Sequence, residues 1–236
     1  EGIPFQPYSE KLKKDLIEVF TSNCDRLMVC IPRQLCIDED FYSLTVDSAF
    51  FWSRVMHHHT DWLRRQLKHT QCYGNSEISR PWMPYHNLNR AKWIFDNFKT
   101  LFSNRNIVII EGEYTRFGCK NDLLNKAKQV SRIICPSVNA YEKIEVILSE
   151  AKKSPKDSLL ITCLGPTAKV VTYQLVKSGY QVLDLGHLDV EYEWFLRRDM
   201  KKELISGKFV NEHKSRIVHY SMTDKDYEKQ IVVRIT

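Results

Sequence analysis

An α/β fold, Rossmann-like and doubly wound with a mostly parallel sheet and helices on both faces, is the class this sequence predicts. Three observations predict it. Short apolar runs alternate with helical patterns from Leu27 to Leu185. The stretch Ser158–Phe195 reads without interruption as strand, tight turn, helix and strand, one βαβ unit whose crossover is expected to be right-handed. The segments that follow the apolar runs carry glycines and polar residues, as loops at the carboxyl ends of parallel strands do.

Glu1–Pro7 reads as a loop that begins abruptly, without an initiator methionine, so the chain looks cut from something longer. Ser9 can cap a helix to about Phe20, with Leu12, Leu16, Val19 and Phe20 as its apolar stripe. Leu27–Ile31 is a short apolar strand ending at Pro32, and Asp38–Leu44 a loop or short turn. Val46–Leu67 is the longest helical pattern, with Phe50, Phe51, Val55, Trp62 and Leu63 on its apolar side. His57, His58 and His59 fall in its middle. Successive helical positions are about 100° apart, so the three cannot face one metal, and a solvated or partly buried helix face is expected. Gln71–Ile78 reads as a strand and turn, Ser79–Met83 as a loop, and Asn87–Phe102 as a helix with Trp93, Ile94, Phe98 and Leu101 on one side.

Asn106–Ile110 is the central strand. It runs into the loop Glu111–Gly118, after which Asn121 or Asp122 starts a helix to about Lys128. Val130–Cys135 is a further strand, closed by Pro136 and Ser137, and Asn139 can cap a helix to Lys153. A polar connector, Lys152–Asp157, leads to the strand Leu159–Leu164. Gly165-Pro166-Thr167 breaks that strand, and proline suits the first helical turn because its missing N–H is not needed there. Val170, Val171, Leu175 and Val176 carry the helix to Ser178-Gly179, where glycine ends it. Tyr180–Leu185 is the next strand. Arg197–Ile205 reads as a charged helix, and Arg216–Tyr220 and Gln230–Ile235 as edge strands or an extended tail.

The 236 residues suffice for one α/β domain, in which 1–105 form an N-terminal part, 106–195 the βα core and 196–236 an extension. A net charge of +6 favours anionic ligands or anionic membrane surfaces, and no nucleic-acid motif is present. No apolar run approaches the roughly 18 residues of a spanning helix. The seven cysteines are odd in number and form no C-x-x-C pair, which argues for a reducing cytoplasm and against a zinc site.

Chemistry concentrates in three loops at the expected carboxyl edge: Glu111–Gly118, Leu164–Thr167 and Gly186–Glu193. The Gly165 turn feeds a helix N-terminus, whose backbone N–H groups and dipole favour an anion; it can equally be a plain tight connection. Arg116 can bind phosphate in bidentate fashion or pair with a surface acid. Asp189, Glu191 and Glu193 alternate, so an extended segment would put all three on one face, as a metal ligand set, a general base or a solvated acidic edge. His187 can hold a ligand hydroxyl or phosphate, or be structural.

The stretches YGNSEISRPWM (Tyr73–Met83), VIIEGEYTRFGCKNDLL (Val108–Leu124), ICPSVNAYEKI (Ile134–Ile144), LGPTAKV (Leu164–Val170), GYQVLDLGHLDVEYEWF (Gly179–Phe195) and GKFVNE (Gly207–Glu212) occur in one order over most of the chain. In these the sequence resembles the bacterial GT-D fold glycosyltransferases, a nucleotide-sugar-dependent family. The resemblance implies transfer of a hexose, glucose or a related sugar, from a UDP-sugar to a hydroxyl of a glycan acceptor, including a glycan on a glycosylated protein or lipid, in protein or cell-surface glycosylation. It implies a divalent cation, Mn2+ or Mg2+, and a cytoplasmic protein, at a membrane surface or not, with a homodimer among the expected partners. Mapped onto this sequence, it implies nucleotide-sugar contacts from Tyr73, Asn75, Arg80, Gly112, Glu113, Arg116, Asn121, Asp122, Gly165, Pro166, Thr167 and His187. Asp189, Glu191 and Glu193 are the implied catalytic acids. The family's R-F-G-D-G-E-type segment, whose D-x-E acids are the expected metal site, is expected upstream of Glu1. A non-catalytic nucleotide- or glycan-binding partner within a glycosylation complex is the alternative. No G-x-G-x-x-G follows any strand, which argues against a nicotinamide Rossmann enzyme.

Overall fold

The computed structural model describes residues 2–35, 38–68, 70–211 and 224–236. Its centre is a five-stranded parallel sheet of β3 (Asn106–Gly112), β4 (Gln129–Cys135), β5 (Leu159–Cys163), β6 (Gln181–Asp184) and β7 (Ile231–Arg234), in the order β6-β5-β3-β4-β7. β3 is the middle strand, in register with β4 from Asn106↔Gln129 to Gly112↔Cys135 and with β5 from Ile107↔Leu159 to Glu111↔Cys163. Successive side chains of a strand point to opposite faces. Ile107 and Ile109 accordingly enter one core with Leu159 and Ile161, while Val108 and Ile110 enter the other with Leu160 and Ile133. Helices α3 (Leu88–Phe102) and α6 (Leu188–Arg197) cover the first face with Phe95, Phe98, Phe102, Trp194 and Phe195. Helices α1 (Glu10–Phe20), α4 (Ile144–Ala151) and α5 (Pro166–Lys177) cover the second with Leu12, Ile147, Leu148, Val171 and Leu175. This is the doubly wound class the sequence predicts.

Several element boundaries follow the sequence closely. Ser9 caps α1 by accepting the Leu12 N–H, and α2 spans Val46–Gln66. Pro166 sits in the first turn of α5, and Gly179 follows its end at φ 84°.

Others differ, each for a physical reason. The apolar run around Met28 contributes only β1 (Cys30–Ile31), which pairs with β2 (Gly74–Asn75) in a separate two-stranded parallel sheet. The alternation from Leu27 therefore does not extend the main sheet, which begins at β3. Residues 121–128 form turns rather than a helix, because Asn104 and Lys128 exchange backbone bonds with Lys126 and Arg105 across the connection. Asn139 is not a helix cap; it is left-handed at φ 53°, its side chain accepts a hydrogen bond from Gln6, and a short 3-10 turn precedes α4. The helix expected over Arg197–Ile205 lies earlier, as α6, and ends where Arg198 turns left-handed at φ 59°. Of the two C-terminal stretches, Gln230–Ile235 supplies the edge strand β7, after the short helix α7 (Lys225–Gln230). Arg216–Tyr220 lies outside the described residues.

Candidate functional site at the carboxyl edge of the sheet

A cleft of about 1930 Å3 opens where four adjacent strands end. Gly112, Tyr114 and Thr115 line it after β3, Pro136 and Ser137 after β4, Leu164, Gly165 and Pro166 after β5, and Gly186 and His187 after β6. The rest of its lining includes parts of α1, α2 and α5 with residues 26–32, 76–86 and 200–202. Parallel strands point their carboxyl ends, and the following helices their amino ends, toward the same edge, which is why open α/β sheets bind ligands there. Lys13, Arg26, Arg80, Lys169, Lys201 and Lys202 line the cleft against the carboxylates Asp47, Glu77 and Asp184. Such an excess of cations raises the local concentration of an anionic ligand.

The turn into α5 is built around Gly165, at φ 55° and ψ −135°, a region that only glycine adopts readily. A Cβ there would lie 2.5 Å from the Phe5 ring. The N-terminal segment is thus folded directly over the turn. Gln6 secures it: its amide oxygen accepts from the Thr167 hydroxyl at 3.1 Å, and its amide nitrogen donates to Asn139 at 2.8 Å. Thr167 is fully buried with its hydroxyl bound to Gln6, so it does not line the cleft as the resemblance implies; Gly165 and Pro166 do line it.

The acids after β6 are not in an extended loop. They belong to α6, so Asp189 and Glu193 share one helix face and Glu191 points to another. Lys208 donates to Asp189 at 2.7 Å and to Glu193 at 2.9 Å. Asp189 also accepts the Gly118 N–H, and the Asn121 amide donates to both carboxylates. Burial works against the charge on Lys208, but the Asp189 and Glu193 carboxylates outweigh it and raise its pKa. Glu191, on the other face, accepts the backbone N–H groups of Trp82 and Met83 at 2.9 and 2.8 Å. Burial pushes its carboxyl up to about 7, against the pull of those N–H groups and Arg80. None of the three acids lines the cleft, which corrects the expectation of a one-faced acidic site. They hold the β3 loop, residues 81–83 and Lys208 onto α6.

The other expected contacts divide in the same way. Asn121 belongs to that buried knot, and Asp122 accepts from Lys99 and Tyr192 at 2.7 and 2.6 Å. Arg116 is half-buried with its guanidinium 5.6 Å from the Tyr227 ring, outside the cleft. The loop it starts from is fixed by a buried pair, Arg132 to Glu111 at 2.6 Å, with Phe117 giving its N–H to Glu111 and accepting from Arg132. Glu113 is exposed. Tyr73 packs on Phe20 in the small N-terminal core, and Asn75 caps the turn at Ser76–Ser79. Gly112, Gly165, Pro166, His187 and Arg80 are brought together in the cleft; His187 is steadied 3.1 Å from Asn211.

The family model described as Glycosyltransferase GT-D fold matches residues 1–213. The chain belongs to the GT-D fold glycosyltransferase family. A probable glycosyl transferase Gly of Streptococcus gordonii is 36% identical over 237 residues, which cover 99% of this chain and 34% of that protein. Glycosyltransferase GlyD of Streptococcus pneumoniae serotype 4 is 36% identical over 235 residues, covering 99% of this chain and 28% of that protein. This chain thus spans about a third of the length of these curated relatives. A solved structure described as a new glycosyltransferase from Streptococcus sanguinis superposes with a TM-score of 0.92 at 34% identity, over 99% of this chain and 87% of that one. Another, described as a highly conserved domain of unknown function with a distinct glycosyltransferase fold, gives 0.91 at 32% identity, over 100% of this chain and 84% of that one.

In this GT-D chain, no group of three or more His, Cys, Asp or Glu side chains among the described residues is placed to hold a metal ion. Asp189 and Glu193 are neutralised by Lys208, and Glu191 is buried on another face with its Oε2 taken by two backbone N–H groups, so these residues do not fit a divalent cation. Sequence reasoning missed Phe5 and Gln6, whose partners lie far along the chain, and Lys208, whose carboxylate partners lie on the preceding helix. It also missed His86, which lines the cleft at φ 45° with its ring 5.3 Å from Trp82. Burial lowers the His86 pKa against the pull of Asp47, and its buried Nε2 makes no hydrogen bond among the described residues.

Proposed function

We propose that this chain is the donor-binding unit of a glycosyltransferase that moves a hexose from a UDP-sugar to a hydroxyl of a glycan acceptor. The cleft carries the reading: it lies at the carboxyl ends of four adjacent parallel strands and has more cations than carboxylates in its lining. The donor diphosphate is assigned to the amino end of α5, beside Gly165 and Pro166. There the helix dipole and Lys169, which also pairs with Asp184 at 2.8 Å, offset negative charge as the leaving group departs. Arg80 and His187 border the same space and suit the sugar and phosphate oxygens. The divalent cation that such donors commonly carry has no fitting group among the described residues, and no step is assigned to it.

A cytoplasmic setting at a membrane surface suits this activity, and no helix among the described residues is long and apolar enough to cross a membrane. Calorimetry with UDP and UDP-glucose, with and without Mn2+, tests the reading. Saturable heat that is lost on substituting Lys169 with Glu is expected. No heat for either nucleotide under any condition would overturn it.

A further inference from the structure

The cleft, at about 1930 Å3, is roughly twice the upper end of the 300–1,000 Å3 usual for one small ligand. A group-transfer cleft must hold two substrates. The lining at the strand ends is glycine-rich and carries Lys169 at the start of α5, and further cations come from Lys13, Arg26, Arg80, Lys201 and Lys202, whereas the lining supplied by α2 contains no lysine or arginine. Instead α2 presents Phe51 and Trp62, which line the cleft while remaining 57% and 49% exposed. The two stand eleven positions apart on one continuous helix. At 3.6 residues per turn they differ by only about 20° in direction and by about 16 Å along the axis. Val55 and His58 fall between them on the same stripe. Aromatic rings left open inside a cleft, rather than packed into a core, offer flat apolar faces to a ligand.

We propose that Phe51 and Trp62 form the acceptor subsite, each receiving the apolar face of a sugar ring of one neutral oligosaccharide. The proposal rests on the glycosyltransferase reading. A wall without cations gives no advantage to an anionic ligand, which separates this surface from the donor side. Pyranose rings have apolar C–H faces and hydroxyl rims, and Ser48, Asp47 and Gln66 supply polar groups beside the rings for those hydroxyls. The separation along α2 is several times the width of one pyranose, so the occupant is an oligosaccharide rather than a monosaccharide.

The test uses the full-length protein on an immobilised array of neutral oligosaccharides, with UDP present. Wild type is expected to be retained on a subset of glycans. Phe51→Ala and Trp62→Ala should each weaken retention about 10-fold, and the double variant should lose it. Phe51→Tyr and Trp62→Phe keep a ring and should restore binding, and UDP heat should be the same in all variants, which also reports on folding. The proposal is overturned if the alanine variants bind the same glycans as wild type, or if wild type binds UDP but no glycan. It is also overturned if the rings govern only retention on phosphatidylcholine vesicles, which would make α2 a membrane contact. Ring-dependent glycan binding without any UDP heat would support the subsite and sink the donor reading instead.

Discussion

Lys208 Nζ lies 2.7 Å from Asp189 Oδ2, and the two side chains are 3% and 2% exposed. Glu193 completes the group at 2.9 Å from the same nitrogen. Three segments distant in sequence are joined by it: the loop after β3 through Gly118 and Asn121, helix α6, and the stretch that carries Phe209 and Asn211 into the cleft. Lys208→Met removes the cation and leaves the buried Asp189 and partly buried Glu193 carboxylates with neutral donors only. A loss of about 3–5 kcal/mol is expected, read as a lower urea midpoint. A loss below about 1 kcal/mol would mean that water reaches the group.

Gly165→Ala is expected to destabilise by about 2–4 kcal/mol, from two separable causes. One is the backbone at φ 55°, and the other is the Phe5 ring 2.5 Å from the new Cβ. Adding Phe5→Ala should recover the steric part and leave the backbone part. Thermal melting of the single and double variants separates them. A double variant as stable as Phe5→Ala alone would show that the backbone carries no strain.

The contrast between this turn and the acidic helix shows what a sequence exposes. β5, α5 and β6 were legible because each signal is local: an apolar run, Gly-Pro at a helix start, Ser-Gly at its end. The carboxyl edge was legible as a ligand edge because parallel connectivity alone places it. The acids were misread because D-V-E-Y-E-W satisfies two periods at once. Its i, i+2 alternation suggests an extended face, whereas Asp189 and Glu193 at i, i+4, with Val190 and Trp194 turned to the core, make it helical. The deciding partner, Lys208, leaves no local mark. β1 was overread for a similar reason, since an apolar run says that a strand is buried and not which strand pairs with it. Phe5 and Gln6 reach Gly165 and Thr167 across most of the chain, beyond any pattern in a short window.

Arg116→Ala provides a check on where the donor binds. Arg116 stacks on Tyr227 outside the cleft, so the substitution should leave UDP affinity within about twofold. Loss of the ring contact is instead expected to lower stability by about 0.5–1 kcal/mol. Calorimetry and urea unfolding on one preparation give both numbers. A tenfold drop in UDP affinity would put the arginine back on the donor and move the binding site toward the β3 loop.

Glu191 gives the fold a specific pH dependence. Burial raises its carboxyl from 4.5 to about 7, so between those values the folded chain keeps a proton that the unfolded chain releases. The stabilisation from that proton is complete below about 4.5 and is lost as pH rises through 7. Its full size is about 3 kcal/mol, because each tenfold change in a protonation equilibrium is worth about 1.4 kcal/mol. Glu191→Gln keeps an oxygen to accept the Trp82 and Met83 N–H groups and cannot ionise. Other titrating groups act on both proteins equally, so subtracting the two urea-stability profiles isolates this carboxyl. The wild type minus Gln difference should fall by about 3 kcal/mol between pH 4.5 and about pH 8. A flat difference would mean that the two backbone donors cancel the effect of burial and leave the Glu191 carboxyl at its unfolded value. A rising one would mean that they outweigh burial and hold it ionised in the fold.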